Sequence, residues 1–231
     1  MDCAYSCRCL TADAKEAIIQ DLNKTLCGFA REENLDALYE ALECNPKVLD
    51  EIDKIPFVHT PLHEAVAHTP SNEATRAEFA LELLSLKPSF GKKLNPDGQS
   101  PLHLALSKGF SALAKRLIEH DSELIRVKGR GGKTPLHCVA EIGDAETNLL
   151  AEFLFACPEA IKDLTIRKET AFHIAVKKGQ YDAFRLIFEW IWRSYNGELL
   201  IWKDDEGNTV LHIATSTKQL RVCHLFAFTW V

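Results

Sequence analysis

The chain has 231 residues, 46% of them hydrophobic and 26% charged, with a formal net charge of −6. That hydrophobic share is ample for a continuous core, and the negative balance argues against nucleic acid or an anionic membrane as the main partner. Eight cysteines are scattered rather than set at zinc-ligand spacing, Met1–Leu10 has only Arg8 as a positive charge and no apolar stretch after it, and no run of about 18 apolar residues is present, so reduced thiols in a cytoplasmic protein without a membrane span are expected.

In chain order, residues 1–23 are expected to form a disordered or irregular tail containing Cys3, Cys7 and Cys9. A zinc site there lacks a fourth ligand and C-x2-C spacing, which leaves S-acylation or no role, and Met1-Asp2 excludes N-myristoylation. From residue 24 to 231 the chain reads as one repeat domain. Its first unit, 24–58, is degenerate: an inner helix over Leu26–Ala30, Glu33 at a turn where Gly is usual, and an outer helix over Asn34–Leu42 that Asn45-Pro46 ends.

Five copies of one frame then follow: Thr60-Pro61-Leu62-His63, Ser100-Pro101-Leu102-His103, Thr134-Pro135-Leu136-His137, Thr170-Ala171-Phe172-His173 and Thr209-Val210-Leu211-His212, at steps of 40, 34, 36 and 39 residues. The Thr or Ser is a helix N-cap, and Pro next to it occupies the first helical position, where a missing N–H costs nothing. Leu and the following Ala give each inner helix its buried stripe. Gly109, Gly143 and Gly179 end those helices at a position suited to positive φ, with Thr69 and Lys218 in the first and last frames. Outer helices follow, for instance over Ala112–Ile118 and Leu149–Phe155. Before the caps sit Gly98, Gly132 and Gly207, with Val58 and Lys168 at the other two. The units run 59–98, 99–132, 133–168, 169–207 and an incomplete 208–231. A period in the thirties carrying T-P-L-H-x-A is the signature of ankyrin repeats, so the expected fold is an all-α solenoid of about six helix–turn–helix units with little or no sheet.

Insertions fall at Thr69–Arg76 and Arg193–Leu199. Trp190 and Trp192, two apart on one helix, face different neighbours, so one is expected to be exposed with core packing as the default for the pair. At the end, Leu220, Leu225, Phe226, Phe228 and Trp230 form an apolar face with no polar cap. The final repeat is therefore expected to be frayed or partly helical and prone to self-association, the alternative being that these side chains fold back around Phe188 and Trp192.

Further phrases narrow the resemblance: Asn34-Leu35-Asp36-Ala37-Leu38-Tyr39, Leu86-Lys87-Pro88-Ser89-Phe90, Lys93-Leu94-Asn95-Pro96-Asp97-Gly98, Arg126-Val127-Lys128-Gly129-Arg130 and Phe155-Ala156-Cys157-Pro158-Glu159-Ala160-Ile161-Lys162-Asp163. Over about residues 24 to 222 the chain resembles plant ankyrin-repeat proteins of the immune-signalling type, whose array is followed by membrane-spanning helices. The resemblance implies a truncation before the membrane region, a role in plant defence or stress signalling through protein contacts, and no catalytic residues or cofactor. Any membrane association would then come through partners, Cys acylation or the missing region.

The chemistry the sequence offers is modest. Five frame His at one structural position point to packing, each imidazole bonding its cap and the neighbouring loop, rather than to a metal or acid–base site. Gly129-Arg130-Gly131-Gly132-Lys133-Thr134 looks like a phosphate loop, but Val127 stands where its first Gly belongs and Thr134 is already a cap. Ankyrin arrays bind through finger tips and inner-helix ends, which here are Phe57, His59, Lys108, Arg130, Lys133, Ile142, Arg167, Lys177, Lys178 and Asp205. Lys and Arg outnumber acidic residues in the middle repeats, so the expected partner is another protein with an acidic segment. A small-molecule or nucleotide sensor is the second class, and a degenerate paralogue without independent function the third.

Overall fold

In the computed structural model, residues 12–68, 73–194 and 196–229 are described. Every regular element among them is helical, and the helices form helix–turn–helix repeats of the ankyrin type, as the frames predict. Contacts divide the chain into two compact units, Met1–Lys108 and Gly109–Val231.

The first unit contains α1 (Ala12–Glu32), α2 (Leu35–Cys44), α3 (Val48–Lys54), α4 (Pro61–Ala67), α5 (Glu73–Leu86) and α6 (Pro101–Ser107). Its start corrects the sequence reading. Residues 12–23, expected to belong to an irregular tail, extend the predicted Leu26–Ala30 helix into one of 21 residues. Its inward residues Leu26, Cys27 and Ala30 are buried, while Lys15, Glu16, Gln20, Asp21 and Lys24 face outward. The extension's outward face is mainly polar, with Ile18 also 47% exposed. Cys3, Cys7 and Cys9 lie outside the described residues. The expected turn at Glu33 is present with φ 53°, and Asn34 caps α2 through a bond from the Ala37 N–H.

The second unit contains α7 (Ser111–His120), α8 (Pro135–Ile142), α9 (Thr147–Ala156), α10 (Ala171–Lys177), α11 (Tyr181–Arg193), α12 (Val210–Ser216) and α13 (Leu220–Thr229). Inner helix α10 packs between α8 and α12, and outer helices α9 and α11 lie behind them. Trp192 is the exposed tryptophan, and Trp190 meets Phe155 edge-on at 4.8 Å.

All five inner helices start one residue after the predicted cap. In each, the cap hydroxyl and the His close a reciprocal box: Thr60 Oγ1 lies 2.8 Å from His63 Nδ1, Thr134 Oγ1 2.7 Å from His137 Nδ1. The far nitrogen reaches a carbonyl oxygen of the next repeat for His63 (Gln99, 3.1 Å) and His137 (Glu169, 3.2 Å), and of the turn that follows its own outer helix for His173 (Trp202, 3.2 Å). Burial holds these rings neutral, pushing His63 down to about 3, with nearby His59 adding to the effect, and His137 down to about 4. His173 is lowered by the same cause.

The end of the chain differs from expectation. α13 is regular over its described length, and Phe226 is buried against Phe172, Phe184 and Phe188, with ring centroids 5.3 Å apart for Phe226 and Phe188. The fold-back alternative therefore holds for Phe226, because the outer helix of the preceding repeat offers an aromatic surface. Leu220 stays exposed, and Trp230 lies outside the described residues.

Candidate functional site

The fingers of the second unit are short turns closed at the base by main-chain bonds. Gly129 N–H donates to Lys133 C=O at 2.8 Å, Thr165 N–H to Glu169 C=O at 3.0 Å, and Asp204 N–H to Asn208 C=O at 2.9 Å. The tips bond to one another as well, Ile166 N–H to Gly131 C=O at 3.0 Å and Asp205 N–H to Arg167 C=O at 2.9 Å. A finger tied at base and tip presents its side chains with little ordering left to lose on binding. The turns demand positive φ. Gly131, Gly132 and Gly207 supply it without cost, whereas Lys168 adopts φ 57° and carries strain.

Between the fingers and the inner helices lies a groove of about 630 Å³, lined by Gly131, Lys133, Thr165, Ile166, Arg167, Glu169, Ile174, Lys177 and Lys178. Four predicted site residues, Lys133, Arg167, Lys177 and Lys178, meet there. Asp205 abuts it through the Arg167 carbonyl, and Arg130 belongs to the first of its fingers. Ile142, at the end of α8, does not line it. Phe57, His59 and Lys108 belong to the first unit. There Phe57, rather than Val58, takes the left-handed turn, with φ 50°, and His59 lies 3.0 Å from Glu64.

Two carboxylates offset part of the basic excess inside the groove, where three lysines share them. Glu141 is bonded by Lys133 at 2.5 Å and Lys178 at 2.7 Å, and Glu169 by Lys177 at 2.7 Å. Burial works to raise the Glu141 carboxyl, but its two lysines outweigh it and leave the pKa lowered. The bond to Glu169 raises the Lys177 ammonium. Arg167 is exposed and has no side-chain partner among the described residues, and Ile166 beside it is 77% exposed. The surface is thus an apolar finger tip next to the Arg167 guanidinium, over a floor where three lysines share Glu141 and Glu169. Ile166, Glu141 and Glu169 matter to the site and were not among its predicted residues. The signal for Ile166 was a large apolar residue in a turn.

The glycine-rich segment 129–134 has no cradle for phosphate. Its Gly129 and Gly132 N–H groups donate within the turn, and the Thr134 hydroxyl is engaged by His137. Among the described residues no group of His, Cys, Asp and Glu is placed to hold a metal, and no helix is long and apolar enough to cross a membrane.

Comparison with known proteins agrees with the repeat. Residues 71–160 match the family model for ankyrin repeats (3 copies). Over 67 residues, 29% of this chain, the sequence is 43% identical to the ankyrin repeat-containing protein BDA1 of Arabidopsis thaliana, covering 14% of that protein. Over 101 residues, 43% of the chain, it is 33% identical to the transient receptor potential cation channel subfamily A member 1 homolog of Caenorhabditis elegans, covering 8% of it. The chain therefore spans a small fraction of the curated relatives it matches.

Proposed function

We propose that this chain is a non-enzymatic protein-interaction scaffold whose finger groove grips a segment of a partner, in plant defence or stress signalling. Ankyrin repeats are interaction modules, and the open groove offers side chains for contact with no enclosed site for chemistry. The observation that carries the reading is the pair Ile166 and Arg167 on a finger held at base and tip. An exposed apolar anchor beside an unpaired guanidinium suits a partner segment with an apolar side chain next to a carboxylate. Lys133, Lys177 and Lys178 then act chiefly by shaping the floor, since each already bonds Glu141 or Glu169. The plant setting rests on the sequence phrases quoted above and on the likeness to the Arabidopsis protein over 67 residues.

The test is retention of proteins from plant tissue extract on the full chain, compared with an Ile166→Asp/Arg167→Glu variant and an exposed first-unit control, Lys108→Glu. The reading expects at least one protein held by wild type and control and lost from the double variant at equal helical content. Identical sets on all three would remove the groove from the account.

A further inference from the structure

The three fingers of the second unit stand in a row along which the sign of charge reverses. Bonds from Ile166 N–H to Gly131 C=O and from Asp205 N–H to Arg167 C=O tie each tip to the next, so the order is fixed. The first tip carries Arg130, the middle one Ile166, Arg167 and Lys168, and the third Asp205 and Glu206, all exposed. Asp205 and Glu206 form no ion pair among the described residues, and the Glu206 carboxylate accepts a bond from the Asn208 side chain at 3.3 Å. The third finger lies within electrostatic reach of the groove floor. The Lys177 ammonium is raised by its bond to Glu169, and the Glu206 charge adds to the effect. Arg167 has the same place in its finger as Glu206 and stays exposed although another finger follows it, so this register faces solvent rather than the next repeat.

We propose that Asp205 and Glu206 determine the direction in which the groove reads its partner, by taking a lysine or arginine side chain of the same bound segment. The inference rests on the groove reading above, which sets the partner's apolar side chain and carboxylate at the middle finger. Neighbouring fingers follow the spacing of packed helices, about 10 Å, and an extended chain covers about 3.3 Å per residue. The partner's cation therefore lies about three residues from the apolar–acidic pair, always on the same side of it. A segment laid the other way sets that cation against Arg130 instead, where like charges meet, so the row selects one orientation by repulsion as well as by attraction.

The probe is a random peptide library of about twelve residues displayed on phage and selected on the immobilised full chain. Peptides held by the wild type and lost from Ile166→Asp/Arg167→Glu should pair a large apolar residue with Asp or Glu. Lys or Arg should be enriched about three residues away, on one fixed side. Selection on Asp205→Lys/Glu206→Lys should exchange that Lys or Arg for Asp or Glu and keep the pair. For a single selected peptide, followed by fluorescence anisotropy, the double reversal should weaken binding at least about tenfold at unchanged helical content. Exchanging the peptide's cation for Glu should then restore it. Peptides that carry the pair without a positioned cation overturn this inference and leave the groove reading standing, as does a cation preference that the double reversal leaves unchanged. If no peptide depends on Ile166 and Arg167, the groove reading falls and takes this inference with it.

Discussion

Lowering the pH should destabilise this protein well before its carboxylates titrate, because the frame histidines are buried in their neutral form. The sign follows from where the proton binds. In the unfolded chain an imidazole takes up a proton near 6.5, whereas in the fold burial delays that to about 3 for His63 and about 4 for His137. Between those values and 6.5 the unfolded state binds more protons, so stability falls as pH falls. At about pH 5 the unfolded ring is favoured by a factor of about thirty, which is about 2 kcal/mol for each of the two residues and about 4 together. His59 faces His63, and Asp163 and Lys133 lie near His137, so these neighbours modulate the loss without changing its direction. Glu141 and Asp53, whose pKa values are lowered in the fold, add to it only at lower pH. The assay is urea unfolding followed by circular dichroism at about pH 7.5 and about pH 5. His137→Asn is expected to be less stable at both, but its loss between them should be smaller than the wild type's by about 2 kcal/mol. Equal losses in the two proteins would refute the assignment of a buried neutral ring.

Four further outcomes follow from single contacts. Asp163→Ala removes a two-pronged bond from Arg126, at 3.0 and 2.7 Å, between successive repeats, and should cost about 1–3 kcal/mol in urea unfolding. Gly143 has φ 75° and ψ −121°, with no room for a Cβ beside the Gln180 side chain, so Gly143→Ala should destabilise by more than about 1 kcal/mol. Lys218→Gly relieves a left-handed lysine at φ 58° and should raise stability by up to about 1 kcal/mol, read in the same way. Phe226→Ala empties the aromatic contact with Phe172, Phe184 and Phe188 and should cost about 3–5 kcal/mol, with faster amide exchange in α13.

The parts of the fold that repeat were legible in the sequence. A Ser or Thr cap and a histidine three residues on, with proline between them in three frames, placed all five inner helices and foretold the cap bond of each imidazole, since that bond spans only three residues. What the sequence hid depends on single events. The helical start at Ala12 has no frame to announce it and a mostly polar face, so only the packing of Leu26, Cys27 and Ala30 on the first repeat reveals its purpose. The ion pairs on the groove floor were hidden because Glu141 meets Lys133 and Lys178 across 8 and 37 residues. Counting finger residues by sign cannot reveal such pairs. The burial of Phe226 stood only as an alternative for a related reason: the aromatic surface formed by Phe172, Phe184 and Phe188 exists only once folded.

The central claim is that the finger at 165–169 is the contact point for a partner. Photo-crosslinking tests it most directly, with benzoylphenylalanine placed at position 166 and, as a control, at position 155 on the equally exposed outer helix. The account predicts a discrete crosslinked protein from position 166 that is absent from position 155 and lost when Arg167→Glu is added. Crosslinks of the same pattern from both positions, or none from 166 while other surfaces capture a partner, would contradict it.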